Sequence, residues 1–122
     1  AGLEISLTGV SSGDIWSGYG NGVANRFEYT AGGVIVSGQR ANVAVSHLDG
    51  QALVKIYKDG VLQPTTPGGA STSSNNNNKL SIGRFGEFNG IYYSGEIEEI
   101  LIYKSEVSEE DIETISDYLN SL

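Results

Sequence analysis

The sequence predicts an all-β fold, an antiparallel sandwich carrying one short helix at its C-terminal end. Three observations lead there. Short apolar runs alternate with polar residues at period two along much of the chain, clusters of Gly, Asn, Asp and Ser punctuate them, and helical spacing appears only in the closing residues. Seventeen Gly beside two Pro, with one Trp, seven Tyr and three Phe, suit short strands joined by many turns.

In order, Leu3, Ile5 and Leu7 alternate with Glu4, Ser6 and Thr8, which predicts a half-buried first strand ending at Gly9. Residues 11–25 are rich in Gly and Ser and are expected to form a surface loop with a short strand inside. Residues 26–30 and 34–37 read as a hairpin turning on Ala31-Gly32-Gly33, whose glycines supply positive φ. Residues 41–48 and 52–58 flank Asp49-Gly50, a second hairpin, and Asp59-Gly60 repeats that chemistry before a short return through Val61 and Leu62. Pro64 is expected to stop the return, and residues 63–78 have so little to bury that a long mobile loop is expected. A last strand over residues 95–103 changes apolar parity between Ile97 and Ile100, so a β-bulge is expected at Glu98-Glu99. The helix follows. Ser108 is its N-cap, Asp111 takes the capping-box position, Val107 can staple onto Ile112, and Ile112, Ile115, Leu119 and Leu122 form its apolar stripe.

Composition removes several functions. With no Cys the chain holds no disulfide, thiolate metal site or cysteine nucleophile. Seven basic against fifteen acidic side chains give a formal net charge of −8, which repels phosphate backbones and anionic membranes, so no nucleic-acid partner is expected. No apolar run reaches the length of a membrane span, so no membrane insertion is expected. No internal repeat or second core-forming region is visible, and the chain reads as a single domain over residues 1–122. The absence of Met leads us to expect a processed or excised piece.

Two stretches carry a family resemblance. Ser81-Ile82-Gly83-Arg84, then Gly95-Glu96-Ile97-Glu98-Glu99-Ile100-Leu101-Ile102-Tyr103, then Val107-Ser108-Glu109-Glu110-Asp111-Ile112 is similar to the closing segment of laminin-G-like domains in the concanavalin A-like lectin and glucanase superfamily. Asn42-Val43-Ala44-Val45-Ser46-His47-Leu48-Asp49-Gly50, followed by Val54-Lys55-Ile56-Tyr57-Lys58-Asp59-Gly60, resembles the hairpin of the same family. The resemblance implies a concanavalin A-like sandwich with a jelly-roll-like path. Such domains begin with further strands that nothing before Leu3 supplies, so the domain is expected to be trimmed or incomplete at its N-terminus, with exposed edges that favour oligomers.

The superfamily includes glucanases, and Glu96, Glu98 and Glu99 invite that comparison. Retaining hydrolysis needs two carboxyls about 5 Å apart on one face. Glu96 aligned with the first acid of an E-x-D-x-E strand puts Ile100 where the third acid must stand, so no catalytic residue is expected. His47, the single histidine, has no G-x-S-x-G partner motif. The resemblance also makes calcium possible, with Asp14, Asn21, Asn25, Asp49 and Asp59 as candidate oxygens, although Asp49 and Asp59 are already explained as turn residues. No cofactor is otherwise expected.

Sugars offer C–H faces to aromatic rings and hydroxyls to amides and carboxylates. One aromatic, amide-bearing loop contains Trp16, Tyr19, Asn21 and Asn25. Another contains Glu87, Asn89, Tyr92 and Tyr93 together with Phe85 and Phe88, and Asn75 to Asn78 lie between the two. The expected function is a non-catalytic recognition or adhesion module binding glycans or glycoproteins on an extracellular, cell or virion surface. The alternatives are a structural protein of a virion, fibre or extracellular assembly, and a glucanase-type hydrolase.

Overall fold

The computed structural model describes residues 2–8, 13–20, 25–47, 54–68, 82 and 93–122. The described residues are mostly β, in two antiparallel sheets with one C-terminal helix. In order the elements are β1 (Gly2–Thr8), β2 (Asp14–Gly20), β3 (Asn25–Thr30), β4 (Val43–Ser46), β5 (Lys55–Lys58), β6 (Val61–Leu62), β7 (Thr65–Gly68) and α1 (Glu109–Ser121). One sheet runs β1-β2-β3-β7 and the other β4-β5-β6, and they approach each other at β3 and β5.

β1 lies where its alternation puts it. Its register sets Leu3, Ile5 and Leu7 across from Tyr19, Ser17 and Ile15, so the apolar parity of β1 meets the buried parity of β2. β2 itself corrects the expected loop. It is a seven-residue strand in the interior of the sheet, with Ile15 and Ser17 both fully buried. Its glycines weaken the local strand signal, but pairing on both edges supplies the structure that local propensity lacks.

The expected hairpin of residues 26–30 and 34–37 does not form. β3 is present, but its two edges are taken by β2 and β7, which leaves 34–37 no edge to join. That stretch is instead a loop, fixed where the Ile35 N–H donates to the Gly13 carbonyl at 2.7 Å. Gly13 sits at φ 61, and a Cβ there would come 2.3 Å from the Ile35 oxygen, so only glycine allows the contact.

The start of the long loop expected from residue 63 is corrected: residues 65–68 form β7, which pairs with β3 through Phe27↔Gly68 to Thr30↔Thr65. Pro67 is compatible with this because β7 is an edge strand among the described residues. Residues 69–78 lie outside the described residues.

The β4–β5 hairpin holds as expected, Val43↔Lys58 to Ser46↔Lys55, with its Asp49-Gly50 turn outside the described residues. The β5–β6 turn has two residues, Asp59 at φ 49 and Gly60 at φ 81, as a tight hairpin requires. Gly60 also lets α1 come close, since a Cβ there would lie 3.1 Å from the Ser116 Cβ.

α1 starts at Ser108 as expected. The Ser108 Oγ accepts the Asp111 N–H at 3.1 Å and donates to the Asp111 carboxylate at 2.9 Å. Its stripe is shifted from the expected one: Ile112 and Ser116 are buried, Ile115 and Leu119 are half-buried, and Leu122 is exposed. The reason is a polar seam. The Ser116 Oγ donates to Asn42 Oδ1 at 2.6 Å, and Asn42 Nδ2 donates to Asn120 Oδ1 at 2.7 Å, which rolls the helix toward β4.

Residues 95–103 give the largest departure. The expected bulged strand does not form with any described residue, and the whole run is exposed.

Candidate functional site

Strand parity divides the four-stranded sheet into two faces. Ile15 and Ser17 of β2, with Glu28 and Thr30 of β3, are buried on one face. Asp14 and Trp16 of β2 and Tyr29 of β3 belong to the other and are each half-buried. The ladder places Trp16 directly across from Tyr29, and their rings stack with centroids 5.3 Å apart and planes 22° apart. That spacing lies within the range favourable for aromatic pairs.

Asp14 stands two residues before Trp16, hence on the same face. Its carboxylate accepts the indole Nε1–H at 2.6 Å, which fixes the ring's rotation. The register continues the row through Ser6 of β1 on one side and exposed Thr66 of β7 on the other. Gly18, next on this face of β2, adds only backbone. The result is a stacked pair of aromatic rings on regular strands, bordered by a carboxylate and by hydroxyl-bearing positions.

The expected site residues divide among several places. Trp16 is central to this face. Asn25 pairs with Gly20 and so has the parity of Trp16, four positions further along β2. Tyr19 pairs with Arg26 in the β2–β3 ladder, and its side chain lies outside the described ones. Tyr93 lies on the exposed run before α1, its ring folded across Gly95, where a Cβ would come 2.8 Å from the Tyr93 hydroxyl. Asn21, Glu87, Asn89 and Tyr92, together with Phe85, Phe88 and Asn75 to Asn78, lie outside the described residues.

Tyr29 is the residue that sequence reasoning missed. A pairing of β2 with β3 across residues 21–24 would have revealed it, because antiparallel register then puts it opposite Trp16. Reading 11–25 as a loop hid that pairing.

The other candidate groups fall apart in space. Asp59 accepts the Asn42 N–H at 2.9 Å and lies 3.6 Å from Lys58 in the β5–β6 turn, whereas Asp14 is on the other sheet. Among the described residues no group of three or more carboxylate or histidine side chains could hold a metal ion, so Asp14 and Asp59 do not build a calcium cage between them. Asn21 and Asp49 lie outside the described residues. Glu96, Glu98 and Glu99 stand on the exposed run, with Glu98 ion-paired to Arg40. No described helix is long and apolar enough to cross a membrane.

Residues 2–113 match the family model of a laminin-G domain described as the Concanavalin A-like lectin/glucanases superfamily. No curated protein and no solved structure gives a significant match.

Proposed function

The chain belongs to the concanavalin A-like lectin/glucanase superfamily, and on that premise we propose that it is a non-catalytic recognition module that binds a neutral glycan on the Trp16–Tyr29 face. The observation that carries this reading is the stacked, only partly buried aromatic pair on the face away from the buried row of its sheet. A pyranose ring lays its C–H face on an aromatic ring, and rings held by strands lose little freedom on binding. The Asp14 carboxylate, already orienting Trp16, is placed to accept sugar hydroxyls.

Charge favours a neutral sugar over a sulfated or sialylated one. The net charge is −8, and of the described cations Arg40, Lys55 and Lys58 already face Glu98, Glu109 and Asp59, which leaves Lys104. In this reading the sheets follow a jelly-roll-like path, the module works on an extracellular, cell or virion surface, and calcium is not required for binding. The carboxylates of residues 96–99 then have no catalytic part.

The test is a glycan array probed with the purified chain, with calcium and with chelator, beside Trp16→Ala and Tyr29→Ala. Selective binding to neutral glycans that both variants lose supports the proposal. Binding confined to sulfated glycans, or unchanged in both variants, overturns the site. A blank from folded protein overturns the recognition function.

A second reading, a structural subunit of a virion, fibre or extracellular assembly, is favoured by a separate observation: the exposed apolar run of residues 97–103. Retention of the chain in purified particles, with no glycan binding, would select it.

A further inference from the structure

We propose that the connection leaving β3, residues 30–35, is a positioning clamp for the Asp14–Trp16 pair, acting through Gly13 and Ile15. The clamp stands on backbone geometry alone; its effect on binding rests on the glycan reading.

The β2–β3 ladder ends at Trp16↔Tyr29, although β2 itself begins at Asp14. In an extended chain the N–H of Ile15 and the carbonyl of Gly13 point to the same side, and here neither meets a backbone group of β3. Thr30 and the loop beyond it take both. The Ile15 N–H donates to Thr30 Oγ1 at 2.9 Å in a buried bond, and the same hydroxyl donates to the Ala31 carbonyl at 3.1 Å. The Gly13 carbonyl accepts the Ile35 N–H at 2.7 Å. A side chain and a loop thus continue the pairing that the β3 backbone no longer supplies.

Asp14 lies between the two held groups. Gly13, at φ 61, would otherwise be the point of greatest backbone freedom beside it, and the loop closes on that point. A Cβ at Gly13 would fall 3.3 Å from both the Cα and the N of Gly33, besides meeting the Ile35 oxygen. The loop is fixed in its turn, since the Gln39 N–H donates to the Val36 carbonyl at 3.1 Å and Arg40 donates to the Leu119 carbonyl of α1 at 3.1 Å.

With Gly13 and Ile15 both held, the Asp14 residue cannot roll about the strand axis, and its carboxylate stays where the Trp16 indole N–H reaches it at 2.6 Å. A hydrogen bond weakens steeply as its angle closes, so a modest rotation at Asp14 would release the ring. Thr30 is buried with Ile15 on the face opposite Trp16, and it therefore acts on the ring only through Asp14.

The single Trp gives one indole cross-peak in a nitrogen–proton correlation NMR spectrum of the whole chain, and Asp14→Ala marks where that peak lies without the bond. Thr30→Val keeps the shape of the side chain and removes the hydroxyl. It is expected to move the peak toward the Asp14→Ala position, to speed indole exchange with solvent about tenfold and to weaken glycan binding about tenfold. Thr30→Ser, which keeps the hydroxyl, is expected to restore all three, and Gly13→Ala to act as Thr30→Val does. Amide peaks of β4, β5 and α1 report the fold of each variant, and the Thr30 pair decides if Gly13→Ala unfolds. An indole peak that stays in place in folded Thr30→Val, or that moves equally in Thr30→Ser, overturns the clamp. So does a moved peak with undiminished glycan affinity. A chain that binds no glycan while its indole follows the Thr30 hydroxyl supports the clamp and removes the ligand, which tells the two failures apart.

Discussion

On the four-stranded sheet an indole is held by a carboxylate two residues before it; on the three-stranded sheet a phenol is held by a carboxylate 52 residues after it. The Trp16 ring stays partly exposed and lies beside Tyr29. The Tyr57 ring is 2% exposed, and its hydroxyl donates to Glu109 Oε1 at 3.4 Å, the same oxygen that Lys55 reaches. Similar chemistry serves different ends. A short-range contact between neighbours on one strand orients a ring that stays partly open, whereas the contact from the first residue of α1 reaches the hydroxyl of a ring that is buried. An aromatic beside a carboxylate therefore does not mark a binding site until the separation between them is known.

Truncating each ring separates the two uses, and the larger effect belongs to the closed one. Tyr57→Ala should cost about 3–5 kcal/mol in urea unfolding, because the ring is almost wholly buried and its loss leaves a cavity. Trp16→Ala should cost about 1–3 kcal/mol, because its ring is only partly buried. On the glycan array the order should reverse, with Trp16→Ala abolishing binding. If Trp16→Ala proved as destabilising as Tyr57→Ala, the open face would be core and the contrast would fail.

What could be read in the sequence follows the same division between local and distant causes. The Asp59-Gly60 turn and the Ser108 cap were legible because a few adjacent residues determine each. The β4–β5 pairing was legible because its strands are rich in Val, Ile and Tyr on both sides of a turn. β2 was not, since Gly18 and Gly20 obscure a strand that exists by pairing with β1 and β3 together. β7 was hidden by Pro67, which a central strand rejects and an edge accepts. Residues 34–37 have strand composition and no strand, because β7 took the edge they would have joined. Half of the site was legible in Trp16. Tyr29 was not, because its place depends on register across two strands rather than on any motif.

The phenol also reports on its surroundings through pH. Burial first, then the charge of Glu109, the hydrogen bond to Glu109 and the charge of Glu106 push Tyr57 up from the ordinary 10.0 to about 12. The folded value lies above the unfolded one, so the unfolded chain gives up its proton first. The stabilisation is whole below pH 10.0 and is lost as pH rises toward about 12. Tyr57→Phe should be about 1 kcal/mol less stable near neutrality, for the loss of one buried hydrogen bond, and should not share this part of the alkaline decline. Parallel declines for wild type and Tyr57→Phe in urea titrations across that range would show that neither burial nor Glu109 holds the phenol protonated.

The smallest effect tests how α1 delivers Glu109. Ser108 accepts the Asp111 N–H, and Glu109 is the first residue of the helix it caps. Ser108→Ala should therefore cost about 1 kcal/mol, the ordinary worth of an N-cap. Its more telling consequence lies at high pH. With the first turn frayed, Glu109 spends less time beside Tyr57, so the alkaline decline of the variant should be shallower than that of wild type. Ser108→Asp, which caps as well, should recover both the stability and the slope. A Ser108→Ala chain that loses stability yet keeps the full slope would mean that burial of the phenol, or Lys55 at 3.4 Å from Glu109, maintains the effect without the cap.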